Sequence, residues 1–572
     1  MNAMILLAIV LCVFVMGYRF YARFLMLGVF LPPGDAALPA IQHSDHHDYG
    51  TPGRWQLAGF HTAASAGLLS VTGAGIGVAW GWVPAFLWIV VGTLVAGGTY
   101  VLASLWSSLR ENGNSLAGVI FGSAGAWAAL PVFLLGLSVL VLVCTLTLVL
   151  LGQLLQTHPE ATWFFLALLV ATETARRTIA STAVVDRCTW GLTTGSLLLA
   201  GLYLGQAIPL NVGGELALHV NGNGVLRIPG ETVWIAVALA AAFRAANAPQ
   251  TAVSTPRGVL VGILIVVLMI LIASGLALSA PALVAPDFNT AEGLPGVFPL
   301  LFLVITAGSI SGVSALIVTG PTMRQTGRHA DAPVVTFTGA MVNGALAFLV
   351  LAALCAGFAE PVEWASVYGS LPVDADVFTW LDLAITKSAR FVAALGFAMP
   401  LAVATVAAIL ASMALAMLET TLRALSFGIE EFAEDFALER IKGRKQRARV
   451  AAGSVAVATF FVLQTGLGLN LWLFLGLTNQ LFAGVVMLLL GLILFKYARG
   501  TAFVLVPALF VIVCGFWGWF WLLSEWWNTE SRLLFALALV AGVLAAVSVF
   551  ACTFAFVREK QKGATAASPD TR

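Results

Sequence analysis

The chain has 572 residues, of which 60% are hydrophobic and only 10% charged, with a mean hydropathy of +0.97 and a net charge of +1. Soluble domains carry about 25% charged residues, so this composition excludes a protein whose whole surface meets water. A net charge near zero also gives no overall field that would gather nucleic acid.

A helix needs about twenty apolar residues to cross some 30 Å of hydrocarbon. On that rule the sequence predicts spans at 3–22, 55–80, 83–107, 126–153, 161–175, 190–208, 232–247, 258–280, 297–320, 333–357, 390–412, 449–466, 471–495, 503–524 and 533–556. These make one all-α transmembrane domain of about fifteen helices. The first segment ends in Tyr18-Arg-Phe-Tyr-Ala-Arg23 rather than in a small-residue cleavage site, which marks a retained span and not a leader. Segment 424–448 reads as a basic surface helix, and 563–572 as a disordered tail.

Basic residues favour cytoplasmic loops. Of the 28 Lys and Arg, all but Arg227, Lys387, Arg390 and Arg532 follow odd-numbered spans. That split predicts an external N-terminus, a cytoplasmic C-terminus and an inner-membrane location. Among the basic loop residues it counts Arg257 and Arg423. The six cysteines form no CxxC and read as small apolar core residues.

Two spans depart from plain hydrocarbon. The second holds His61, Thr62, Ser65, Gly67, Ser70, Thr72, Gly73, Gly75 and Gly77; the ninth holds Thr306, Gly308, Ser309, Ser311, Gly312, Ser314, Thr319 and Gly320. Glycine weakens a helix and hydroxyls bind freed carbonyls, so both are candidates to unwind in mid-membrane and line a cavity. Seven spans apart, they cross in opposite directions, as an inverted repeat requires. Close helix packing is the plainer reading of small residues.

Polar groups elsewhere are few. Glu419 is a candidate coupling acid for a proton or other cation, or else the partner of Arg423 one turn on. Asn479 and Gln480 are amides within an apolar span, fit to bond a solute or to join helices. The run His43, Asp45, His46, His47 and Asp48 offers nitrogen and oxygen ligands that zinc accepts, although neighbouring residues seldom all reach one ion and a solvated loop is the alternative. No nucleotide-binding or catalytic motif is present, so neither enzyme chemistry nor another cofactor is expected.

Several stretches resemble the carbon starvation protein CstA family. They are Tyr18–Tyr21, His43–Tyr49, Gly59–Gly67, Gly81-Trp-Val-Pro84, Leu109–Leu116, Phe298–Ile305, Ser311–Ile317, Gly320-Pro-Thr322, Leu418–Arg423 and Gly476–Ala483, in order along the chain. The resemblance implies ion-driven uptake of peptides, or of pyruvate-like carboxylates, by a transporter distantly related to inverted-repeat (LeuT/APC-like) proteins with two broken helices. Val313-Ser314, Leu69-Ser70, Gly73-Ala74, Tyr100-Val101 and Leu418-Glu419 depart from the family pattern and mark a divergent member. A membrane-embedded solute sensor is the rival reading; it would ordinarily carry an output domain.

Overall fold

The computed structural model describes residues 2–30, 38–45, 47–111, 113–179, 184–212, 216–220, 223–291, 294–305, 311–369, 375–441, 443–466 and 468–566. These residues are helical almost throughout, joined by a single antiparallel hairpin of Leu216–Val220 with Asn223–Ile228.

Among the described residues ten helices are long and apolar enough to cross a bilayer: Ala3–Phe30, Trp82–Arg110, Ala126–Thr157, Ser254–Ser279, His329–Ala356, Met399–Asp435, Arg444–Thr465, Leu469–Lys496, Ala502–Asn528 and Arg532–Arg558. Arg54–Ser65 with Leu68–Trp80 makes an eleventh, bent by 48°. The remaining predicted segments are helical but do not meet that standard. Thr232–Asn247 is shorter, Thr162–Ile179 carries Glu173, Arg176 and Arg177, Val184–Ala207 is diluted by threonines and glycines, and 297–320 is described only in part.

The 390–412 prediction is corrected. Gly396, at φ +98°, separates Phe378–Ala393 from a new helix that opens with Met399-Pro400 and runs 37 residues to Asp435. Proline suits a first turn because its missing N–H would have no partner there. That long helix absorbs half of the expected surface segment, and the basic run simply opens the next span at Arg444. The last helix continues to Ala566, so 563–566 are helical, and 567–572 lie outside the described residues. Cys144, Cys355, Cys514 and Cys552 are buried as expected, whereas Cys12 is exposed.

Burial sorts the helices into two shells. Leu469–Lys496 and His329–Ala356 are 94% and 89% enclosed, whereas Arg444–Thr465 and Arg532–Arg558 are each 28% enclosed and turn their apolar faces outward to lipid. Gly81 joins Leu68–Trp80 to Trp82–Arg110 at φ +93°, and a Cβ there would stand 2.7 Å from the Asp287 carbonyl. Only glycine meets both demands. Gly81→Ala is expected to lower stability by about 2–4 kcal/mol from strain and overlap together, read as an earlier thermal transition in detergent.

Candidate functional site

The second predicted span breaks where its sequence is richest in small residues. Arg54–Ser65 ends at Ala66, and Leu68 restarts the helix after an extended Gly67. The long helix presses Met417 onto Gly67, leaving no space for a side chain. The ninth span also departs from a continuous helix: Val297–Ile305 is helical, 306–310 lie outside the described residues, and Gly312–Ile317 begins after an extended Ser311 at φ −109°, ψ 124°. Ser309 lies outside the described residues, as does His46.

The two interrupted spans lie side by side and antiparallel. His61 Nδ1 is 3.1 Å from Thr322 Oγ1, Gly73 packs on the Val304 carbonyl, and Gly77 packs on Ile305. Residue numbers fall along one as they rise along the other, and Gly67 and Ser311 both lie between the His61–Thr322 and Gly73–Val304 contacts.

Most predicted hydroxyls already have partners. Ser65 Oγ donates to the His61 carbonyl at 2.6 Å, and Thr72 Oγ1 to the Leu68 carbonyl at 3.0 Å, each one turn back on its own helix. Thr62 and Ser70 are buried, while Ser65 and Ser314 keep partial exposure. Asn479 does not face open space. Its Oδ1 accepts from the Val313 N–H at 3.1 Å and its Nδ2 donates to Ser311 Oγ at 3.0 Å. Gln480 beside it is fully buried.

Glu419 is buried, but its partner is Arg257 and not Arg423. Arg257 also reaches Thr172 Oγ1, at 2.6 Å from Nη2. Arg423 instead points to the loop of the predicted zinc ligands, where Nη1 meets Asp48 Oδ1 at 3.1 Å and Nη2 takes the carbonyls of Ala245 and Ala248. Both arginines, expected in surface loops, are therefore buried. Each finds a carboxylate and polar oxygen atoms in place of water.

Asp48 also meets Arg447 at 3.2 Å and His47 at 3.1 Å. Asp45 Oδ1 accepts from the backbone N–H groups of His47, Asp48 and Tyr49, each at 2.9 Å. These carboxylates thus serve arginines and peptide groups. Among the described residues no set of three His, Cys, Asp or Glu side chains is placed to hold a metal ion. The loop further holds the tail of the ninth span, through Gln325 Nε2 to the Asp48 carbonyl at 3.2 Å and Gly50 N–H to the Arg324 carbonyl at 3.1 Å.

This knot borders an open vestibule of about 480 Å³ lined by Asp48, Arg324, Glu430, Glu431, Arg444 and Arg447, among others. Arg324 and Glu431 also line a smaller, mostly apolar cavity of about 60 Å³ that reaches Thr319, Gly320 and Phe482. The guanidinium of Arg324 lies 3.7 Å from the centre of the Phe427 ring. Arg324 and Glu431 thus stand between the charged mouth and a cavity against the second half of the ninth span.

Phe133 lines the smaller cavity, and some 24 residues or about 36 Å further along the same helix, beyond its far end, His158 bonds Asp382 at 2.8 Å and Glu160 at 3.2 Å. Sequence reading passed over it, as it did Trp472, Arg324 and Arg447.

Antiparallel interrupted helices inside an apolar bundle, with a charged mouth at one end, define a polytopic membrane transporter. The fold is similar to that of a manganese transporter from Eremococcus coleocola, with a TM-score of 0.51 over 90% of this chain and 99% of that one at 12% identity. The carbon starvation protein CstA model matches residues 2–367, and the chain belongs to that family. A Mycobacterium tuberculosis relative named peptide transporter CstA is 25% identical over 363 residues, covering 59% of this chain and 45% of its own length. One from Campylobacter jejuni with the same name is 25% identical over 580 residues, covering 90% and 80%. The Escherichia coli pyruvate/proton symporter BtsT is 25% identical over 362 residues, covering 61% and 48%. The match therefore spans about half the length of the first and third of these relatives.

Two outcomes follow from the ion pairs. Burial alone would raise the Asp48 carboxyl, but Arg423, the His47 bond and Arg324 outweigh it and hold Asp48 below its usual range. A depressed carboxyl stabilises above its unfolded value, and that support is lost as pH falls through the folded value. Asp48→Asn at neutral pH should therefore mimic acid and lower stability by about 3–5 kcal/mol, because Arg423 is left without its counter-ion. His158 has the opposite sign. Burial would lower it, but Asp382 and Glu160 push it up to about 9. Its contribution is full below about 6.5 and is lost as pH rises through about 9. The thermal midpoint should fall between pH 7 and pH 9.5 in the native protein, and less steeply in His158→Gln.

Proposed function

We propose that the protein is a secondary active transporter that takes up peptides across the inner membrane, driven by protons. The observation that carries this reading is the pair of interrupted spans lying antiparallel, with Gly67 and Ser311 between the same two contacts. Such breaks expose backbone to a solute, and opposed directions suit an inverted-repeat, LeuT/APC-like core of about fifteen crossings. The relatives' names add peptide and pyruvate/proton transport as the chemistry to test. The bias of basic residues supports an external N-terminus, which makes the charged vestibule the cytoplasmic mouth.

On this reading the solute passes between the breaks, near His61, Thr62, Ser65, Ser70, Thr72, Ser309, Ser311 and Ser314, with Asn479 and Gln480 behind them. Ser65 and Ser314 are the hydroxyls we place closest to it, because they keep partial exposure. Glu419 is the coupling acid. A carboxylate enclosed in a span is costly, and its pairing to Arg257 gives it two states, ion-paired or protonated with the arginine released. Uptake of a small pyruvate-like carboxylate is the second reading, favoured by Arg324 at the throat of a cavity of only about 60 Å³.

Purified protein in liposomes, given labelled dipeptide or pyruvate with an acid-outside gradient, tests this directly. Accumulation that a protonophore abolishes is expected for one solute class; absence of flux for both removes the transport reading. Glu419→Gln should abolish accumulation while sparing solute exchange. Because it leaves Arg257 buried without a counter-ion, the paired Arg257→Gln/Glu419→Gln variant is the folding control. Undiminished accumulation in either would remove Glu419 from the mechanism.

A further inference from the structure

Helix Leu469–Lys496 meets both sides of the second interruption with one face. Trp472, Gly476 and Asn479 are spaced four and three residues apart, which aligns them on one side of a helix. On the side of Val297–Ile305, Trp472 Nε1 donates to the Val304 carbonyl at 3.3 Å. Gly476 lies against the Leu303 carbonyl with no space for a Cβ.

Seven residues on, the same face reaches the other half. Ser311 holds the N-cap position of Gly312–Ile317, but its own side chain caps nothing. Asn479 supplies the cap from outside, accepting the Val313 N–H at 3.1 Å and donating to Ser311 Oγ at 3.0 Å. A Cβ on Gly312 would come within 2.7 Å of the Asn479 backbone oxygen, so only glycine permits this approach. A cap within the segment would move with its helix. A cap on a neighbour ties the helix end to that neighbour, and this neighbour is among the most enclosed in the bundle.

We propose that Trp472 and Asn479 are positioning residues of the transport step: they make Leu469–Lys496 a fixed splint that sets the two halves of the interrupted span, and the second half swings by releasing Val313 from Asn479. The proposal rests on the transport reading for its kinetic consequence, but not for its structural one. Neither residue touches solute, so their loss acts on rate and not on recognition.

Asn479→Leu keeps the volume and removes both bonds; Asn479→Asp keeps an oxygen for the Val313 N–H. In Asn479→Leu, hydrogen–deuterium exchange across 311–318 should quicken at least tenfold, with thermal stability close to native and exchange in 469–496 unchanged. In liposomes, maximal uptake should fall at least tenfold while the half-saturating concentration stays within twofold. Asn479→Asp should restore both readouts to within about threefold of native, and Trp472→Phe should lower maximal uptake alone. Native exchange at 311–318 in Asn479→Leu would overturn the proposal, as would a raised half-saturating concentration at unchanged maximal uptake. A general loss of stability that Asn479→Asp does not rescue would reduce the contact to packing and overturn it too. If no solute is carried, the exchange measurement decides alone, so failure of the splint and failure of the transport reading stay distinguishable.

Discussion

A peptide group released from a helix inside hydrocarbon has no water to bond, and side chains around the described interruptions answer that constraint. Trp472 takes the Val304 carbonyl, Asn479 takes the Val313 N–H, and Tyr368 donates to the Gly75 carbonyl at 3.1 Å. Hydroxyls within the helices bond one turn back, which satisfies them without a partner helix. Glycines let these arrangements close. Where Gly73 meets Val304 and Gly312 meets Asn479, the backbone of one element stands at the distance a side chain would otherwise occupy.

The charged groups obey the same rule at higher stakes. Arg257, Arg423 and Arg447 are almost fully enclosed, and each has a carboxylate: Glu419 for the first, Asp48 for the second, Asp48 and Glu430 for the third. A buried guanidinium without an anion would cost several kcal/mol. Glu419 and Arg423 stand one turn apart on one helix, the spacing of an intrahelical pair, yet they point to different neighbours. Each thereby fastens the long helix to another part of the chain.

Composition and hydropathy made the membrane class legible, and glycine and hydroxyl density made the break at Gly67 and the extended Ser311 legible, because each depends on the local sequence alone. Partner choice was not. Arg257 and Arg423 satisfy the loop rule as readily as the buried arrangement, and nothing near Glu419 in sequence points to Arg257. The loop from His43 to Asp48 carried the right residue types for an ion, and its carboxylates went to arginines supplied by distant helices. Asn479 was visible as an odd amide in an apolar span, but its role depends on a helix end some 170 residues earlier (an extrapolation no periodicity supports). The stripe of Trp472, Gly476 and Asn479 was readable at helical spacing and would have suggested a face that grips a backbone.

The helix Met399–Asp435 has 37 residues, so it is about 55 Å long, nearly twice the hydrocarbon thickness. The enclosed Glu419 stands near its middle, and Glu430 and Glu431 stand in its last two turns at the mouth. A rod of that length acts as a lever: tilting it by ten degrees about its middle sweeps its tip by about 5 Å. A small change of packing around the middle of the rod would thereby be felt in the aqueous entrance as a displacement comparable to the width of a small solute, with no relay of side chains between them.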